Sequence, residues 1–241
     1  MNVKIKALAF VLMAVLLLCG CGQKSETAAA TPAQAVTASA AQSSTARPVS
    51  TGVTPEQFGA KGDGIADDLR ALQAAMQQAS ASGRPLELTA GAVYRFSSCL
   101  GLPSGLTIRG NGAVLLSDIQ YPDLKEDRVA VELMKDSDDD RAHDVRLENV
   151  TFRAADSCQA NYMLRVMLAR NVEFVGCTFD CEPNEWGRCA ADLYGGNENI
   201  RFEGCVFRQM TSGASGGIWV RNWTDRVESR NIRFQNCEFY K

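Results

Sequence analysis

Near its C-terminal end the chain writes one short phrase four times: DVRLENVTF, NVEFVGCTF, NIRFEGCVF and NIRFQNCEF, starting at Asp144, Asn171, Asn199 and Asn231. The starts are 27, 28 and 32 residues apart, which makes the region a stack of similar units that bury a shared core only by piling up. Counted from the first apolar residue, apolar side chains fall at steps 0, 2, 5 and 7, as in Val172, Phe174, Cys177 and Phe179. A strand keeps one face inward only with a strict period of two, so the switch from even to odd steps requires a corner. The corner falls at step 4, occupied by Asn149, Gly176, Gly204 and Asn236. Gly and Asn enter the left-handed backbone region at least cost, so one such residue can turn the chain between two short strands facing one interior. Coils wound this way form an all-β, right-handed parallel β-helix, a single-stranded solenoid.

A net charge of -3 gives no basic excess of the kind that binds nucleic acid. The first residues differ from the rest. Lys4 and Lys6 precede an apolar run from Ala7 to Leu18, too short for a membrane span and of the length of a signal-peptide core. It ends in Leu18-Cys19-Gly20-Cys21, which resembles the lipobox of bacterial lipoproteins and implies lipidation at Cys21. The residue that follows, Gly22, is not the aspartate of an inner-membrane retention signal, so the expected location is the cell envelope, at the outer membrane. Residues 22–53 are rich in Ala, Ser, Thr, Gln and Pro and cannot bury enough surface to fold, so they read as a disordered tether between a 1–21 leader and a folded domain at 54–241.

From Phe58 the chain reads FGAKGDGIADDLRALQAAMQQAS. Gly59, Gly62 and Gly64 suit a tight turn, Asp67 or Asp68 offers a carboxylate to the amides that open a helix, and Leu69, Leu72, Met76 and Ala79 follow at helical spacing. A short amphipathic helix here would plug the open end of a solenoid, covering apolar interior and unpaired strand edges. This phrase, continued through GRPLELTAGAVYRFS and LPSGLTIRGNGAVL, resembles the start of the pectate-lyase-like superfamily, which includes rhamnogalacturonase-like and epimerase-like domains and phage tailspike depolymerases. The resemblance implies a β-helix and a polysaccharide partner, but hydrolases, lyases, epimerases and adhesive proteins share it. Turn and helix-cap duty accounts for Asp63, Asp67 and Asp68 better than catalysis does.

Each coil should carry a third strand before its phrase, at Val129 to Met134, Met163 to Met167, Ala190 to Tyr194 and Gly217 to Asn222. With Val131, Leu133, Leu164, Val166, Leu193, Ile218 and Val220 inward, Glu132, Arg165, Asp192, Tyr194, Trp219 and Arg221 point outward. Coils stack about 4.8 Å apart, so these groups would form a ladder, with Trp223 just beyond it. Arginine pairs with carboxylates through two parallel hydrogen bonds and aromatic rings offer apolar faces to sugar C–H groups, so such a row suits an acidic polysaccharide. Arg165, Tyr194, Trp219, Arg221 and Trp223 are the binding candidates. Asp192, flanked by two arginines, is the first candidate for proton transfer and Glu132 the second. The polygalacturonase succession Asn-Thr-Asp, Asp-Asp, Gly-His-Gly and Arg-Ile-Lys over consecutive coils is not present, and the sole His143 reads as a surface group.

No cofactor is required by any of this. The run Asp136, Asp138, Asp139 and Asp140 has the carboxylate density of a calcium site but lacks its glycine-punctuated spacing, and reads as a solvated loop. Cys177, Cys205 and Cys237 share one step with Val150 and so predict a stack of buried thiols, whereas Cys158, Cys181 and Cys189 fall between phrases, where a Cys181–Cys189 disulfide could close. Two readings of function stand: an envelope-tethered lyase, hydrolase or epimerase of acidic polysaccharide, and a non-catalytic glycan-binding or structural lipoprotein. A third expectation concerns extent, because NCEFYK stops in a strand pattern without polar cover, as the front part of a longer β-helix would.

Overall fold

The computed structural model describes residues 52–120, 128–134, 140–181, 188–208, 217–222 and 228–240. Cys21, the leader, almost all of the tether, Trp223 and three of the four aspartates of the acidic run lie outside them. The described chain forms three parallel sheets, through which each coil passes in turn. Sheet III, of five strands, comprises Leu100–Gly101, Val129–Met134, Tyr162–Met167, Cys189–Tyr194 and Ile218–Arg221. Sheet II, of six, comprises Leu86–Glu87, Thr107–Arg109, Ala142–Glu148, Ala169–Val175, Glu198–Glu203 and Arg230–Gln235. Sheet I, of seven, runs from Asp63–Asp67 and Val93–Phe96 through Val114–Ser117, Thr151–Ala154, Thr178–Asp180 and Val206–Arg208 to Glu238–Phe239. The chain is an all-β parallel β-helix, as the repeat predicts, with one α-helix among the described residues.

The register piles like on like. In sheet I, Phe152, Phe179, Phe207 and Phe239 stack with centroids 4.9, 4.9 and 5.0 Å apart and rings within 11° of parallel. In sheet II, Phe174, Phe202 and Phe234 stack at 4.8 and 4.7 Å, and the two columns meet edge to face inside the helix. The last coil departs from the expectation of burial: Phe239 and Val220 are 55% and 53% exposed, since no described strand lies beyond theirs.

Each of the four phrases passes through the left-handed region at two matching positions. The predicted corner is there, with Asn149, Gly176, Gly204 and Asn236 at φ 50, 60, 59 and 52°. Gly176 has a second reason to be glycine, because a Cβ on it would fall 2.5 Å from the Asn149 Oδ1 above. The residue that opens each phrase makes a second corner, with Asp144, Asn171, Asn199 and Asn231 at φ 54 to 57°.

The helix Leu69–Ser82, α1, covers the first coil. It buries Leu72, Ala75, Met76 and Ala79 and packs against Leu86–Glu87, Val93–Phe96 and Leu100–Gly101, one strand of each sheet. Its two leading aspartates divide the work: Asp67 Oδ1 accepts the Leu69 amide at 3.2 Å, while buried Asp68 accepts the amides of Lys61 and Gly62 at 2.7 and 3.0 Å and pins the preceding turn. Val53, which composition assigned to the tether, is buried and bridges Leu86. Among the described residues no helix is long and apolar enough to cross a membrane.

Cys177 and Cys205 are buried in the predicted thiol column, with Cys237 half-buried at its uncovered end. The suggested Cys181–Cys189 disulfide is not formed; Cys158 and Cys181 lie in the connections between strands and Cys189 opens one, and all three are buried. Burial pushes Cys181 up to about 12 and Cys189 up to about 11, which keeps both thiols protonated at neutral pH.

Candidate functional site

Parallel pairing in sheet III sets Gly101, Glu132, Arg165, Asp192 and Trp219 in one row across five coils, with Tyr194 paired to Arg221 two residues on. The outward parity holds, yet the picture of a solvated row needs correcting. Asp192 is 0% exposed and Arg165 only 6%, because aromatic rings and a second guanidinium pack over them. Both Asp192 oxygens are occupied: Oδ1 accepts Arg221 Nε at 2.8 Å, and Oδ2 accepts Arg221 Nη2 at 2.7 Å and Arg165 Nε at 3.2 Å. A carboxylate without solvent access and bound by two arginines orients its partners and is poorly placed to carry protons to a ligand.

Around this core stand three rings. The Arg165 Cζ lies 4.6 Å from the Tyr162 centroid and 5.8 Å from that of Tyr194; the Arg221 Cζ lies 4.5 Å from Tyr194, 4.9 Å from Trp219 and 5.6 Å from Tyr162. Tyr162 and Trp219 meet edge to face at 6.1 Å. Such rings favour a fixed guanidinium through their negative faces. Arg221, with a side chain 37% exposed, is the cation that reaches solvent, and its Nη1 has no partner among the described residues. Its hydrogen bonds to Asp192 hold its pKa above the ordinary guanidinium value. Glu132 is half-buried, with the Cys99 thiol 3.9 Å from its Oε2; burial, then the Glu132 charge, pushes that thiol up to about 12.

Sequence reasoning therefore located the row but missed Tyr162, which heads its strand one residue before the predicted start. His143 is at the surface as expected, its Nδ1 3.0 Å from Asp144 Oδ2. No group of three or more potential metal ligands occurs among the described residues.

Residues 53–239 match the family described as rhamnogalacturonase A/epimerase, pectate lyase-like, and the chain belongs to that family. Over 60 residues it is 43% identical to a capsule-specific depolymerase of Klebsiella phage K5-2, a match spanning 25% of this chain and 7% of the phage protein. Among solved structures it is similar to PfbA, a surface adhesin of Streptococcus pneumoniae, with TM-score 0.59, 17% identity, and coverage of 78% of this chain and 48% of the adhesin. It is also similar to ORF18 of Geobacillus virus E2, with TM-score 0.55, 18% identity, and coverage of 78% and 42%. The chain thus spans about half or less of the length of each of these proteins.

Proposed function

We propose that this chain is an envelope-tethered β-helix protein that holds acidic polysaccharide on the outer face of sheet III. The observation that carries the reading is Arg221: a guanidinium clamped by a buried carboxylate, flanked by Tyr194 and Trp219, with Nη1 left to a ligand. Clamping removes rotamer freedom before binding, so less is lost when a uronate carboxylate arrives, and the adjoining rings offer faces to the sugar. In this reading Arg221, Trp219, Tyr194 and Trp223 contact the glycan, while Asp192 and Arg165 position Arg221. Family membership and the likeness to a phage depolymerase support a polysaccharide partner. Lipidation at Cys21, followed by the polar tether, would hold the domain at the outer membrane.

Family membership also favours a second reading, in which the bound chain is cleaved or epimerised. Glu132 is then the better proton carrier of the two carboxylates proposed from the sequence, because Asp192 is fully engaged. The test incubates the full chain with uronate-containing glycans, following binding, ultraviolet-absorbing unsaturated ends and new reducing ends in parallel. Binding without either product, lost in Trp219→Ala, supports recognition; product formation lost in Glu132→Gln supports the enzyme. Cys21→Ser, tested by fatty-acid labelling in a bacterial host, should abolish the label.

A further inference from the structure

The outer face of sheet II carries a groove of about 380 Å³ that the sheet III reading does not use. One wall is the row of second corners. Asn171 Nδ2 donates to Asp144 Oδ1 at 2.9 Å, Asn199 Nδ2 to Asn171 Oδ1 at 3.0 Å, and Asn231 Nδ2 to Asn199 Oδ1 at 2.6 Å. These side chains are exposed, and the left-handed backbone that all four share keeps them in line. Each asparagine uses one amide hydrogen in the ladder and has a second to offer, at intervals of about 4.8 Å. The other wall is the outward row Arg146, Glu173, Arg201 and Arg233. Its charges are uneven along the groove. Arg146 pairs with Glu148 and Glu173, and Arg201 with Glu173 and Glu203. Arg233 has no carboxylate among the described residues; its Nε donates to Asn231 Oδ1 at 2.7 Å, which fixes the direction of an exposed guanidinium.

We infer that this groove is a second glycan site, separate from sheet III, that takes an extended acidic oligosaccharide with a uronate at the Arg233 end and hydroxyl-rich sugars along the asparagines. Carboxamides both donate to and accept from sugar hydroxyls, and their coil spacing is comparable to one pyranose unit. Asp144 on one wall and Glu173 on the other disfavour a ligand with a negative charge on every unit in close succession, such as a polyphosphate, and the described residues that line the groove include no ring on which a nucleobase could stack. A single carboxylate set against Arg233, followed by neutral hydroxyls, meets both walls.

The test titrates the full chain with a mixed oligosaccharide of one terminal uronate and four neutral sugars, using calorimetry, with the all-neutral pentasaccharide as control. The variants are Arg233→Ala and Asn199→Gly, the latter removing a carboxamide while keeping the left-handed corner, and Trp219→Ala for sheet III. The wild type should take up two ligands per chain. Arg233→Ala and Asn199→Gly should each weaken one event by roughly tenfold, the scale of a lost hydrogen bond to a charged or fixed group, and leave the Trp219-dependent event unchanged. Arg233→Lys should retain part of the affinity. A single event that only Trp219→Ala removes overturns the groove and leaves the sheet III reading intact. A single event that only the groove variants remove upholds the groove against the other site, and no binding by any form overturns the groove as well.

Discussion

Phe179 and Phe239 occupy the same step of the same phrase and stack in the same column, yet one is closed in by neighbours on both sides and the other is half in water. Removing a fully buried phenylalanine costs about 3–5 kcal/mol in lost transfer energy and cavity. Phe179→Ala should therefore lower unfolding free energy by that amount in denaturant titrations, and Phe239→Ala by less than half of it. The ion cluster separates in the same way. Asp192→Ala takes from buried Arg165 the carboxylate that accepts its Nε and should cost roughly 3–5 kcal/mol, whereas Arg221→Ala, which removes a partly exposed partner, should cost clearly less. The thiols give a kinetic test. With Cys181 and Cys189 pushed up to about 12 and about 11, the thiolate fraction at pH 8 is small, so mapped alkylation of these two should be slow in the native chain and fast in denaturant.

At the scale of the element, α1 stands or falls on its apolar face. Leu72→Ala should destabilise the domain by about 2–5 kcal/mol and expose the edges of the first coil, seen as a lower melting temperature with earlier aggregation. A second element-level tie joins strand Val93–Phe96 to the next two coils through Arg95, Asp118 and Ser157, at 2.6 Å for the ion pair and 2.5 Å for the Ser157 hydroxyl. The Ser157 hydrogen bond, then Arg95, holds the Asp118 carboxyl below its ordinary 3.8. A depressed folded-state pKa adds stability above the unfolded value and loses it as pH falls through the folded one. Asp118→Asn should therefore flatten the acid limb of the stability curve below about pH 4 and change its shape little above, as read by denaturant midpoints. These elements also show what was legible in the sequence. The parity switch in NVEFVGCTF places a corner at Gly176 because burial on both sides of it depends on period two, and the strands before each phrase fall within a residue of expectation. The corner at Asn171 was equally visible as a repeated Asn or Asp, but no apolar switch flanks it. Leu168, at φ 49°, carries no such signal at all.

For the whole molecule, the stacking of coils turns separate strands into surfaces, and both candidate sites are products of that stacking. Outward parity identified Arg165, Asp192, Trp219 and Arg221 from the sequence alone. Their depth was not legible, because it depends on how two guanidiniums share one carboxylate and on which rings close over them, and alternation reports only which side of a sheet a residue takes. The same limit hid Tyr162, whose ring joins Arg165 and Arg221 from the head of a strand. Family membership gives the class of scaffold, whereas function rests on these side chains. The central claim is that Arg221, held by Asp192, receives a glycan carboxylate. A crystal structure of the full chain with a bound uronate oligosaccharide tests it directly: the account predicts a carboxylate oxygen about 3 Å from Arg221 Nη1 with a sugar ring against Trp219 or Tyr194, and a ligand ordered elsewhere while Nη1 contacts only water would contradict it.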